Sequence, residues 1–115
     1  MKISRMILDF ASSYIHLGET LEEKQNYLNV ACIAWNISLL PEDKRGLVLS
    51  EFLTNYKISN PDYDIEDIKH DMELLIKEKL RLFPNVNIPI AYAVIRETDT
   101  EYKVLAATFI QQNAE

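Results

Sequence analysis

Residues 90–110, IAYAVIRETDTEYKVLAATFI, decide the fold class of this chain. Ile90 to Ile95 is apolar, Arg96 to Glu101 is polar, and Tyr102 to Ile110 returns to apolar and β-branched residues. Two such runs around a polar turn predict a β-hairpin with strands over 90–97 and 102–110. A helical reading competes with it, because Tyr102, Leu105, Ala106, Phe109 and Ile110 also fall at steps of three and four, and short apolar runs are not settled by periodicity alone. The choice is between an α+β domain and an all-α five-helix bundle, and the β-branched texture favours the hairpin.

The hairpin reading carries a consequence for assembly. Alternation puts Ile90, Tyr92 and Val94 on one face and Ala91, Ala93 and Ile95 on the other, so both faces are apolar. A lone two-stranded ribbon is marginal in water. Unless the Asn85 to Pro89 segment and the C-terminal tail cover the second face, a second copy is expected to pair with its edge or pack on its free face.

Upstream of residue 90 the patterns are helical. Asp62, Asp64, Glu66 and Asp67 crowd the start of a segment over 64–83 and Lys77, Lys79 and Arg81 crowd its end, the order a helix dipole favours. Asp64 is the expected cap. Ile65, Ile68, Met72, Leu75, Ile76 and Phe83 form its buried face, with Glu66, His70, Glu73, Lys77 and Arg81 outside. Val48, Leu49, Phe52, Leu53 and Tyr56 predict a helix over 47–57, closed before Pro61. Pro41 to Gly46 reads as a turn, although proline at a first helical position also opens helices.

Thr20 and Glu23 have the spacing of a capping box for a helix over 21–40. Leu21, Leu28, Cys32, Trp35 and Leu39 form its main arc, and Tyr27, Val30, Ala34 and Ile37 cover much of the rest. Only a strip of Glu22, Gln25, Asn29 and Asn36 stays polar. A helix apolar nearly all round is surrounded by other elements, so this one belongs at the centre. Before it, Ile3, Met6, Ile7, Phe10, Tyr14 and Leu17 form one stripe over 2–17, and Gly18 stands where a helix can end in the left-handed conformation. The expected architecture is a four-helix array with a C-terminal hairpin packed against it, a predominantly helical α+β fold over one domain, 1–115.

Composition excludes several functions. The 115 residues carry 48% hydrophobic and 26% charged side chains, an ordinary globular balance. The net charge is −6; residues 1–60 hold 6 basic and 7 acidic side chains, and residues 61–115 hold 6 and 11. Nucleic acid and anionic membranes both demand a basic face, so neither is an expected partner. The N-terminal segment has charges within its apolar stretch, unlike a signal peptide, and the uncharged run from Gln25 to Pro41 is too polar to span a bilayer. Cys32 is the single cysteine. A reducing, cytoplasmic compartment is the simplest reading.

No constellation names a reaction. With glycine only at positions 18 and 46, neither a Walker loop nor a dinucleotide fingerprint can be assembled. His70 shares a helical face with Glu66, Asp67 and Glu73, yet a dinuclear carboxylate site needs two Glu-x-x-His segments pointing inward. His16 reads as a surface residue near a helix end. Cys32 lies on an apolar arc as a structural thiol, and neither it nor Ser12 or Ser13 has an activating base in evidence. No catalytic residue, metal site or cofactor is expected. The leading expectation is a non-enzymatic protein–protein interaction module, a homodimer, whose acidic face of Asp62, Asp64, Glu66, Asp67 and Glu73 meets a basic partner. The alternative is a small ligand-binding protein or enzyme with a pocket near Asn29, Trp35 and Asn36, served by His70 or His16 from a neighbouring element or subunit.

Overall fold

A computed structural model of the chain describes residues 2–97 and 102–108. Along the sequence these form α1 (Ile3–Ile15), α2 (Leu21–Ser38), α3 (Glu42–Ser59), α4 (Ile65–Leu82), β1 (Ile90–Glu97) and β2 (Tyr102–Thr108). The fold is α+β and predominantly helical, with the two antiparallel strands as its C-terminal hairpin. The five-helix alternative is overturned. Phe109 and Ile110, expected in the second strand, lie outside the described residues. No helix among the described residues is long and apolar enough to cross a membrane.

The α1–α2 corner is set by space. The α1 helix ends at Ile15, short of the expected Leu17, as Leu17 N bonds Tyr14 O and Gly18 N bonds Ile15 O in tighter turns. Gly18 does not adopt the left-handed conformation expected of it, because no glycine here has positive φ. It is needed for a close approach: a Cβ there would lie 2.8 Å from the backbone nitrogen of Lys24 and 3.0 Å from the carbonyl carbon of Glu23. The capping box then forms. Glu23 N donates to Thr20 Oγ1 at 3.1 Å, and the Glu23 carboxylate accepts from the backbone N–H of Thr20 and Glu19.

Helix α2 is the centre of the molecule, in contact with α1, α3, α4 and β1. Leu28, Ala31, Ala34 and Trp35 have no exposed surface. It stops at Ser38, two residues before the expected end, where Leu39 and Leu40 bond back three residues. Helix α3 starts at Glu42, well before the expected Leu47: Pro41 stands at the N-cap position without a side-chain cap bond, and Glu42 and Asp43 complement the dipole in the first turn. Gly46 has open space around it and is carried inside the helix.

On α4, Asp64 caps as expected, its Oδ1 accepting from Glu66 N at 2.9 Å. Lys79, read from the sequence only as one of the charges at the end of α4, is buried. It is 1% exposed, its Nζ donates to Val86 O at 2.7 Å, and it stands 5.1 Å from the Trp35 ring centroid. Burial, helped by the nearby Arg45 charge, holds its pKa below the ordinary lysine value.

Hairpin register pairs Ala93 with Ala106 and Ile95 with Val104, and is irregular between Ile90 and Tyr92. That irregularity corrects the expected faces. One extra residue shifts the alternation, so Ile90 joins Ala93, Ile95 and Val104 in the core while Tyr92 and Val94 face outward with Leu105.

Candidate functional site

The polar strip of α2 is a clamp. Asn36 Nδ2 donates to Ile90 O at 2.8 Å and its Oδ1 accepts from Ile90 N at 2.7 Å. Eleven residues earlier, Gln25 donates to Ala93 O at 3.0 Å and accepts from Ile95 N at 2.9 Å. In an extended chain the carbonyl of one residue and the N–H two residues on point to the same edge, so Gln25 stands where a third strand would. Trp35 Nε1 donates to Ile88 O at 2.8 Å, anchoring the segment that leads into β1. Against the other strand, Ser4 Oγ accepts from Ala106 N at 2.9 Å.

Of the pocket expected near Asn29, Trp35 and Asn36, only Asn29 borders a hollow, one of about 470 Å³ that it shares with Leu21, Glu22, Gln25, Asn26 and Ile95. Trp35 is sealed, with Phe10 and Phe83 rings at centroid distances of 5.5 and 6.0 Å. Both polar atoms of Asn36 are engaged by Ile90. Asn29 is exposed and accepts from Gln25 at 2.8 Å. Side chains thus occupy edge positions of the hairpin at Ile90, Ala93 and Ile95 on β1 and at Ala106 on β2.

A cleft of about 790 Å³ opens elsewhere, where the end of α1, the first half of α2 and the start of α4 meet. Six carboxylates line it, from Glu19, Glu22, Glu23, Asp64, Asp67 and Asp71, and no Lys, Arg or His does. Local structure explains their convergence. Gly18 lets the first turn of α2 fold tightly against α1, which brings Glu19, Glu22 and Glu23 to the rim. On α4, Asp64, Asp67 and Asp71 step by three and four residues and share a face.

The walls between the carboxylates are aromatic. Tyr14 and Tyr27 pack edge to face at 4.8 Å, and Tyr63 lies tilted at 5.8 Å from Tyr56, whose hydroxyl accepts from Asn26 at 3.3 Å. Tyr14 donates its hydroxyl to Asp71 Oδ2 at 3.3 Å. Burial, reinforced by the Asp71 charge and this bond, pushes the Tyr14 pKa far above the ordinary phenol value. Tyr14 thus stays a neutral donor that orients Asp71. A concave site with one sign of charge focuses its field outward, and tyrosine faces attract cations. The arrangement suits an ammonium or guanidinium group.

Asp64 and Asp67 are the part of the expected acidic face that this cleft contains. At about 100° per residue, Glu66 and Glu73 fall on the opposite side of α4. There they line a separate groove with Lys57 and Lys69. Asp62 is exposed in the turn before α4. The face read from the sequence is divided in two by the helix it stands on.

Glu19, Glu22, Glu23, Asp71 and the tyrosines escaped sequence reasoning as site residues, although the three-and-four spacing of Asp64, Asp67 and Asp71 was a usable signal. His16 and His70 are both exposed and line neither groove. Cys32 is buried, and burial pushes its thiol up to about 12, which keeps it protonated and unreactive. Among the described residues no three His, Cys, Asp or Glu side chains come together to hold a metal ion. Comparison with family models, curated proteins and solved structures finds no match.

Proposed function

We propose that this protein is a non-enzymatic interaction module that receives a basic segment of another protein in the cleft between α1, α2 and α4. The observation that carries the reading is the lining itself: six carboxylates and three tyrosines, with no cationic side chain among them. A solvated acidic helix face needs no such concavity and no aromatic walls. Exposed ion pairs are worth about 0–1 kcal/mol each and a cation over a tyrosine about 0.5–2 kcal/mol. Several together give a weak, fast-exchanging and salt-sensitive complex. The reading belongs to the reducing cytoplasm, in keeping with the single cysteine and the acidic balance of the sequence.

The test is titration of a nine-residue polylysine peptide into the protein, followed by calorimetry at about 50 and 500 mM salt, where screening differs strongly. The expected result is binding at low salt that fades at high salt and is lost in an Asp67→Asn/Asp71→Asn variant. No binding at low salt, or binding indifferent to that variant, overturns the proposal.

A second reading is favoured by a different surface. Tyr92, Val94 and Leu105 are 63%, 37% and 49% exposed on one face of the hairpin. This face supports self-association into a homodimer by packing rather than by strand pairing.

A further inference from the structure

The acidic cleft does not end at Tyr14. Tyr14, Leu17 and Asp71 also border a second hollow of about 510 Å³, which follows the seam between α1 and α4 towards Leu74 and Arg81. The two hollows form one groove along α4. Eighteen helical residues at about 1.5 Å each make it roughly 25 Å long.

Charge and polarity change along this groove in a definite order. Carboxylates dominate beside the start of α4. The middle is apolar, with Leu17 63% and Leu74 50% exposed and Phe10 and Leu75 beneath them. Towards the end of α4, Arg81 pairs with Glu78 at 2.7 Å and Asp9 pairs with Arg5 at 3.1 Å, and Lys77 adds a further cation to the lining. A purely basic occupant would use one end and leave Leu17 and Leu74 in water. A purely apolar one would leave the carboxylates unmatched.

Resting on the cleft reading above, we infer that the occupant is an amphipathic helix of four to five turns. Its basic residues cluster at one end over Asp64, Asp67 and Asp71, and its apolar stripe covers Leu17 and Leu74. A seam between two helices accepts a third helix by laying an apolar stripe into it at helical spacing. A helix satisfies its own backbone and so asks nothing of a seam built from helices, whereas an extended segment here would gain no strand edge to pair with.

Two end-labelled peptides of 17 residues distinguish the inference from the reading beneath it. One carries lysines at one end and leucines at helical spacing along the rest; the other has the same composition permuted so that no stripe forms. By fluorescence anisotropy the striped peptide is expected to bind at least tenfold more tightly, and circular dichroism is expected to show it gaining helix. Leu74→Ser, at an exposed position that borders the second hollow and not the acidic cleft, should erase most of the tenfold difference while leaving weaker, salt-sensitive binding of both peptides. Equal binding of the two by the natural protein, or no effect of the serine variant, overturns the helix inference and leaves the acidic cleft standing. Failure of both peptides to bind at low salt overturns the cleft reading and this inference together.

Discussion

Gly18 shows how the absence of one methyl group shapes the site. The first turn of α2 closes so near that a side chain at position 18 would press on the backbone of Glu23 and Lys24, and Lys24 Nζ donates to Gly18 O at 2.8 Å across the same corner. Two effects oppose each other in Gly18→Ala. Replacing glycine restricts the unfolded chain and stabilises by about 0.4–1 kcal/mol, whereas forcing atoms into a packed space costs about 1–3 kcal/mol. The contact is with helix backbone, which cannot swing aside, so the cost wins. Urea denaturation is expected to show a net loss of roughly 1–2 kcal/mol. An alanine variant as stable as the natural protein would mean that the corner relaxes freely. The need for glycine here was legible only as a helix end, since the approach depends on a turn that closes in three dimensions.

At the scale of elements, helix α2 holds strand β1 through two amides. Gln25 and Asn36 each bond a backbone N–H and a backbone carbonyl, so the strand gains the partners a longer sheet would give it. The polar strip itself was plain in the sequence, because a line of amides on an otherwise apolar helix breaks its pattern. Its purpose was not, since its partners lie 54 to 70 residues away and leave no local trace. The same limit hid the irregularity near Ala91, which turned Ile90 inward. Some helix boundaries tell the opposite story: the Thr20 box, the Asp64 cap and the break before Pro61 act within a few residues and were read correctly, whereas the start of α3 at Glu42 was not. Asn36→Ala leaves both polar groups of Ile90 without their partner. At about 1–3 kcal/mol for each buried group so stranded, reduced by water reaching a half-buried site, a loss of roughly 2–3 kcal/mol is expected. Hydrogen exchange checks the cause: the Ile90 amide should lose protection much more than the amides of α4, and uniform loss would point to general loosening instead.

Across the whole molecule, acidic excess was legible as a number and its arrangement was not. Composition gives the surplus of carboxylates, but only the meeting of three helices gathers Glu19, Glu22 and Glu23 with Asp64, Asp67 and Asp71. Surplus apolar strand surface was foreseen, and its extent limits what it can do. Tyr92, Val94 and Leu105 stand beside Arg96 and Lys103, which pair across the strands, so like charges close one end of the patch. Three large side chains from each copy cover a few hundred square ångströms, against about 1,200–2,000 Å² in stable interfaces. Stacking one face on its twin also brings the four cations near one another, and salt screens that repulsion. Self-association through the hairpin is therefore expected to be weak, with monomer prevailing at about 10 μM and dimer emerging towards 1 mM, where the binding free energy needed is only about 4 kcal/mol. Sedimentation velocity over that range should show a concentration-dependent coefficient that rises with added salt. Tyr92→Ser/Leu105→Ser should hold the protein monomeric throughout. A dimer that persists in this variant, or that forms at nanomolar concentration, would place the contact on another surface.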